Sequence, residues 1–93
     1  MWLLQCADAS KIFRITPRAT RTLGRAPRSD FIVDAALVSR IHCRLTATET
    51  ELLVDDLHST NGTFINGRRV ARAALTTGDR LRLGRLELAV SKE

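Results

Sequence analysis

Ninety-three residues leave room for one domain and no second, and a domain of that size buries roughly 60–65% of the surface its unfolded chain exposes. A charged share of 27%, with no apolar run near the ~18 residues that cross a bilayer, excludes a membrane-spanning helix. The net charge of +5, nearly all arginine, favours an anionic partner without choosing among phosphopeptide, nucleic acid and acidic protein.

Taken in chain order, Met1-Trp2-Leu3-Leu4-Gln5-Cys6 is apolar but too short, and without a positive flank, to be a signal peptide. The chain therefore reads as intracellular, nuclear or cytoplasmic, and not secreted. Period-two alternation then recurs in short segments. Lys11 to Ile15 alternates, Thr20 to Leu23 forms a strand, and Phe31-Ile32-Val33 is a short apolar run. Ile41, Cys43 and Leu45 alternate with His42, Arg44 and Thr46, and Leu52 and Val54 with Leu53 and Asp55. Leu81 and Leu83 alternate with Arg80 and Arg82, and Leu86, Leu88 and Val90 with Glu87 and Ala89. Turn signals fall between them at Thr16-Pro17, 26–30, 59–62, Asn66-Gly67, 77–79 and Gly84. Asn66-Gly67 is the strongest hairpin signal, since both residues tolerate positive φ. Many short strands at regular spacing predict an all-β sandwich or barrel. Val70 to Leu75 is the one helix-like stretch, Ala-rich and too short to be stable alone.

Cys6 and Cys43 lie far apart in apolar segments without CxxC spacing, so they read as reduced core residues and no zinc site is expected. Asp55-Asp56 looks like a carboxylate pair, but neighbouring strand residues face opposite ways, which suits loop bracing or exposure better than catalysis. No nucleophile–base set is apparent, no metal set either, and neither enzymatic activity nor a cofactor is expected. Arg68, Arg69, Arg80, Arg82 and Arg85 read most simply as solvated strand faces.

Three strand-to-loop junctions collect donors that suit a dianion: Gly24-Arg25, Ser39-Arg40-Ile41-His42 and Ser59-Thr60-Asn61-Gly62-Thr63. Arg25 offers a planar fork for phosphate, Arg40 a second cation, and Ser39 a hydroxyl. Thr60 offers a hydroxyl or its N–H, and Asn61 an amide matched to a peptide group.

These segments, with Leu23 before the first, Ser29-Asp30-Phe31-Ile32-Val33 between, and Asp56 to Gly67 and Thr77 to Gly84 after, resemble the forkhead-associated (FHA) family over about Leu3 to Val90. The resemblance implies an eleven-stranded antiparallel β-sandwich of the SMAD-like kind, a single FHA domain over 1–93 with its motif core at about 22–90. It implies phosphopeptide-binding loops at one end. Arg25 and Ser39 would hold a phosphothreonine phosphate, Thr60 and Arg40 would add contacts, and Asn61 would grip the peptide backbone. Gly24 would let the backbone turn, Gly62 would allow a close loop, His42 would brace the loops, and Asn66-Gly67 would form a structural turn. The family prefers phosphothreonine through a pocket for its methyl, a group worth about 1 kcal/mol by transfer.

Leu37 and His58 are candidates for peptide selectivity. Some relatives place a basic side chain at Leu37 to select an acidic residue three after the phosphothreonine, and an apolar Leu37 argues against that selection. His58 stands where the family often has glycine; it could reach the peptide, or titrate against a phosphate whose second pKa lies near 6, or be an exposed loop histidine. The implied role is recruitment of phosphothreonine proteins downstream of a Ser/Thr kinase. Met1-Trp2 resembles the start of nibrin-type DNA-damage proteins, while bacterial FHA adaptors answering Ser/Thr kinases are an equal candidate; such modules usually sit beside other domains. The alternatives are an Arg-rich nucleic-acid-binding domain, disfavoured by having only Trp2, Phe13, Phe31 and Phe64 as aromatics, or an oligomerisation domain on an FHA-like fold.

Overall fold

Alternating side chains become alternating faces in eleven strands, in a computed structural model that describes residues 1–8 and 10–93. They are β1 (Trp2–Cys6), β2 (Ile12–Ile15), β3 (Thr20–Gly24), β4 (Phe31–Ile32), β5 (Cys43–Ala47) and β6 (Leu52–Asp56), then β7 (Thr63–Ile65), β8 (Arg68–Val70), β9 (Arg72–Leu75), β10 (Arg80–Leu83) and β11 (Leu86–Lys92). One sheet runs β2-β1-β11-β10-β7-β8 and the other β4-β3-β5-β6-β9. Among the described residues every pairing is antiparallel except β3 with β4, a two-residue parallel match of Leu23 to Phe31 and Gly24 to Ile32.

The inward faces meet in one core. Leu4, Leu81, Leu83, Leu88 and Val90 come from the first sheet, and Leu23, Cys43, Leu45, Leu52, Val54 and Leu75 from the second. In β5 the register is plain: Cys43, Leu45 and Ala47 are buried while Arg44 is exposed. A side chain of this size, fully buried, is worth about 1.5–3 kcal/mol, so register here is strongly specified. Trp2 joins this core from β1, with Lys92 over its ring. Both cysteines are free and buried, and burial pushes the Cys43 thiol far up, with the nearby Asp56 charge adding to it. Cys43 is accordingly an inert core residue.

Val70 to Leu75, helix-like in composition but too short to be stable alone, is not helical. Val70 closes β8, Ala71 crosses from one sheet to the other, and Arg72–Leu75 forms β9 against β6. The Asp56 N–H donates to the Ala71 carbonyl at 2.9 Å. A six-residue helix would leave its few hydrogen bonds unable to offset nucleation, whereas the strand satisfies the open edge of β6.

The Asn66-Gly67 hairpin forms as expected, with φ of 51° and 83°. Asn66 does more than turn the chain. Its Oδ1 accepts from the Arg80 N–H at 2.9 Å and its Nδ2 donates to Asp79 Oδ1 at 3.0 Å, tying the hairpin to the start of β10. This hairpin and the 77–79 turn lie at the end reached by β7 as it leaves Thr63. The segments 24–31, 32–43 and 56–63 gather at the other end.

Candidate functional site

His42 holds the loop end together. It is fully buried, and both ring nitrogens are used: Nδ1 accepts from the Ser39 N–H at 2.9 Å, and Nε2 pairs with the Gly62 carbonyl at 2.8 Å. An acceptor at Nδ1 and a carbonyl opposite Nε2 require the neutral tautomer with the proton on Nε2. Its backbone adds two links, donating to Leu23 and accepting from the Leu57 N–H. One residue thus joins the 38–42 segment, β3 and the 57–62 loop.

A second brace is Asp56, one of the two carboxylates for which the sequence suggested loop bracing or exposure. Asp56 ends β6 and turns into the loop, where it accepts from the Ser59 N–H at 3.2 Å, the Ser59 hydroxyl, and the Thr63 hydroxyl at 2.7 Å. Ser59 Oγ in turn accepts from the Gly62 N–H at 3.0 Å. Burial pushes the Asp56 carboxyl up, but the hydrogen bonds from Ser59 and Thr63 outweigh it and hold the group below the usual aspartate value. The pairing signal Asp55-Asp56 resolves into two separate roles. Asp56 braces the loop, and Asp55 faces Arg72 at 3.3 Å and Arg44 at 3.9 Å across the outer sheet face. In the sequence Ser59 stands out only as the first residue of the 59–62 turn, with nothing local to show its bonds to Asp56 three residues before it.

Around these braces the donors converge. Arg25 Nε donates to the Val38 carbonyl at 3.0 Å, and the Arg25 N–H donates to the Ser39 carbonyl at 3.0 Å. The contact through Nε pins the side chain's stem and leaves both Nη groups of the exposed guanidinium free for a bidentate anion contact. Ser39 Oγ accepts from the Thr60 N–H at 3.0 Å, which leaves the Ser39 hydroxyl proton to donate outward. The Thr60 N–H is therefore occupied, and its hydroxyl is the group that remains. Asn61 Nδ2 donates to the Leu37 carbonyl at 3.0 Å, leaving Oδ1 and one amide proton. Arg40 has an exposed side chain while its carbonyl accepts from the Ala26 N–H at 2.9 Å and the Ser29 hydroxyl at 3.1 Å. Arg25, Ser39, Arg40, Thr60 and Asn61 are thus brought to one end, with Leu37 and His58 exposed beside them. Asn66 and Gly67 are not part of this group.

One expectation for a single residue changes. Gly24 has no positive φ; it is needed because a side chain there would run into the Arg40 carbonyl and come within 2.8 Å of Ser29 Oγ. Its role is close approach of two backbones, not a turn. His58 has φ of 57°, a left-handed conformation that costs a non-glycine residue about 1–2 kcal/mol, which accounts physically for a glycine preference at that position. Gly62 combines both demands, with φ of 92° and the Arg69 side chain 2.8 Å from where its Cβ would be.

The chain belongs to the FHA domain family, whose sequence model matches residues 21–84. Over 69 residues it is 39% identical to an oxoglutarate dehydrogenase inhibitor of Corynebacterium efficiens, covering 74% of this chain and 49% of that protein. Over 71 residues it is 37% identical to the glycogen accumulation regulator GarA of Mycobacterium tuberculosis, covering 76% of this chain and 44% of that one. The chain spans about half the length of these curated relatives or somewhat less. A chain solved in a structural and functional analysis of phosphothreonine-dependent FHA domain interactions superimposes with a TM-score of 0.92 at 31% identity, covering 99% of this chain and 96% of that one.

Proposed function

We propose that this chain is a phosphothreonine-dependent protein-binding module that recruits phosphorylated partners, with residues 1–93 acting as one unit. The observation that carries this is the convergence of Arg25, Ser39, Thr60 and Asn61 at one loop end, each anchored by hydrogen bonds and each with hydrogen-bonding capacity to spare. Arg25 and the Ser39 hydroxyl take the phosphate, Thr60 and Arg40 add to it, and Asn61 holds the peptide backbone. The phosphothreonine dependence named for the superimposed FHA interactions supports the same ligand here. His42, Asp56 and Ser59 keep the donors in place and touch no ligand. The role is binding, not catalysis, and the partner is a protein phosphorylated by a Ser/Thr kinase inside the cell.

The corynebacterial and mycobacterial relatives, named as an inhibitor and a regulator, support a setting in bacterial kinase signalling. A DNA-damage role rests on Met1-Trp2 alone, and Trp2 has a sufficient reason to be there as a core residue of β1. Calorimetry tests the reading. A phosphothreonine peptide should bind and its unphosphorylated form should not. Arg25→Ala should cost about 2–5 kcal/mol and Ser39→Ala about 1–3 kcal/mol. Equal affinity of wild type and Arg25→Ala for the phosphopeptide would sink it.

A further inference from the structure

The chain carries two Asn-Gly dipeptides, Asn61-Gly62 in the loop after β6 and Asn66-Gly67 in the β7–β8 hairpin. Asparagine before glycine is the pair most prone to ring closure, because no Cβ hinders attack of the following backbone nitrogen on the side-chain carbonyl carbon. The reaction needs that nitrogen stripped of its proton and the carboxamide turned towards it. The fold withholds a different one of these requirements at each dipeptide.

At Asn66 the carboxamide is held. Oδ1 accepts from the Arg80 N–H at 2.9 Å and Nδ2 donates to Asp79 Oδ1 at 3.0 Å, while the exposed Gly67 N–H has no acceptor among the described residues. Asn61 is exposed, and its carboxamide is held at one end alone, by Nδ2 on the Leu37 carbonyl at 3.0 Å. Here the nitrogen is held instead. The Gly62 N–H is buried and donates to Ser59 Oγ at 3.0 Å. The Ser59 hydroxyl proton is committed to Asp56, so Oγ meets the Gly62 nitrogen with a lone pair. Loss of the Gly62 proton would set that lone pair against an amide anion away from water, with the Asp56 carboxylate behind it. The bond therefore keeps the nitrogen protonated and unreactive.

We propose that Asn61-Gly62 is a latent self-modification site, held in check by Ser59, whose reaction silences the phosphate site. The Gly62 nitrogen attacks Asn61 Cγ. The N–Cγ bond forms, the Cγ–Nδ2 bond breaks, and ammonia leaves, taking up the proton that Gly62 lost. One water then opens the five-membered imide at either carbonyl and leaves aspartate or isoaspartate. The effect on binding rests on the phosphothreonine reading above, which gives Asn61 the peptide backbone. Either product replaces the donor to Leu37 by a carboxylate beside the bound dianion, and like charges so placed oppose binding. Isoaspartate also adds a methylene to the loop backbone.

Peptide mapping by mass spectrometry, after warm and mildly alkaline incubation of the 93-residue chain, tests this. In folded wild type Asn61 should convert more slowly than in the same chain held unfolded. Ser59→Ala should speed conversion at Asn61 about 5- to 10-fold, the factor an ordinary hydrogen bond supplies, and leave Asn66 unchanged. Asp79→Ala should do the reverse, speeding Asn66 alone. Isoaspartate should accompany aspartate at Asn61, since direct hydrolysis gives aspartate only. The check by Ser59 is wrong if wild-type Asn61 converts as fast folded as unfolded, if Ser59→Ala leaves Asn61 unchanged, or if it speeds both asparagines by one factor, as global unfolding would. Aspartate without isoaspartate overturns the ring route. In calorimetry Asn61→Asp should lose affinity for a phosphothreonine peptide, and wild-type affinity in that variant overturns the silencing. If wild type itself does not distinguish that peptide from its unphosphorylated form, the phosphothreonine reading falls while the guarded chemistry of Asn61 stands.

Discussion

Ser39 and Ser59 carry the same hydroxyl, and the fold puts it to different uses. Ser39 accepts one N–H from Thr60, and its own hydroxyl proton has no acceptor among the described residues. Ser59 is buried, donates to Asp56 and accepts from Gly62, so its hydroxyl is fully occupied inside the loop. The two therefore separate by experiment. Ser59→Ala should lower stability by about 1–3 kcal/mol in denaturant titration, because it removes one of the donors to Asp56 Oδ1, which keeps Thr63, and strands the buried Gly62 N–H. Ser39→Ala should act mainly on phosphopeptide affinity. At His58 the strain can be relieved: His58→Gly should raise stability by about 0.5–1 kcal/mol, the left-handed φ no longer costing steric energy, partly offset by a freer unfolded chain. A drop in the denaturation midpoint would show that the His58 side chain makes a contact worth more than the strain.

At the scale of elements, the loops are positioned by pairs of backbones rather than by side chains alone. The Arg25 and Ala26 N–H groups run alongside the Ser39 and Arg40 carbonyls, at 3.0 and 2.9 Å, with Gly24 pressed against Arg40. Gly24→Ala should force these two segments apart. The expected cost is about 1–3 kcal/mol in stability, measured by thermal or denaturant unfolding, together with weaker phosphopeptide binding through displaced Arg25. Much of this layer was legible from strand pattern and turn residues: the strands from β2 to β7, the hairpin at Asn66-Gly67 and the closing β10–β11 pair. The β8–β9 switch was not, because local composition near Ala71 says nothing about the unpaired edge of β6 that recruits Arg72–Leu75.

Over the whole molecule, stability depends on a small set of carboxylates held by hydrogen bonds. Asp56 is kept below the usual aspartate value by Ser59 and Thr63 despite its burial, and Asp79 by the Thr76 N–H and the Asn66 amide. A depressed folded-state pKa means that the unfolded chain binds the proton more readily. Stability from both groups is thus fully present above the ordinary aspartate pKa near 3.8 and is lost as pH falls through the lower folded values. Denaturation midpoints should be flat from neutral pH to about 5 and fall below about 4, and Asp56→Asn should flatten part of that fall. A midpoint that rose on acidification would contradict the assignment.

The amino-acid sequence by itself determined the strand-rich class, the apolar faces and the order of the three donor-bearing segments, because period-two patterning and turn chemistry are local properties. It also pointed to Arg25, Ser39, Thr60 and Asn61 through the FHA resemblance. Only the tertiary structure decided which atoms of those residues remain free, since that depends on bonds between segments more than ten residues apart. For the same reason it alone brought Gly84 to Leu37, turned Arg82 from a solvated charge into a stacked one, and made Gly24 a point of backbone contact.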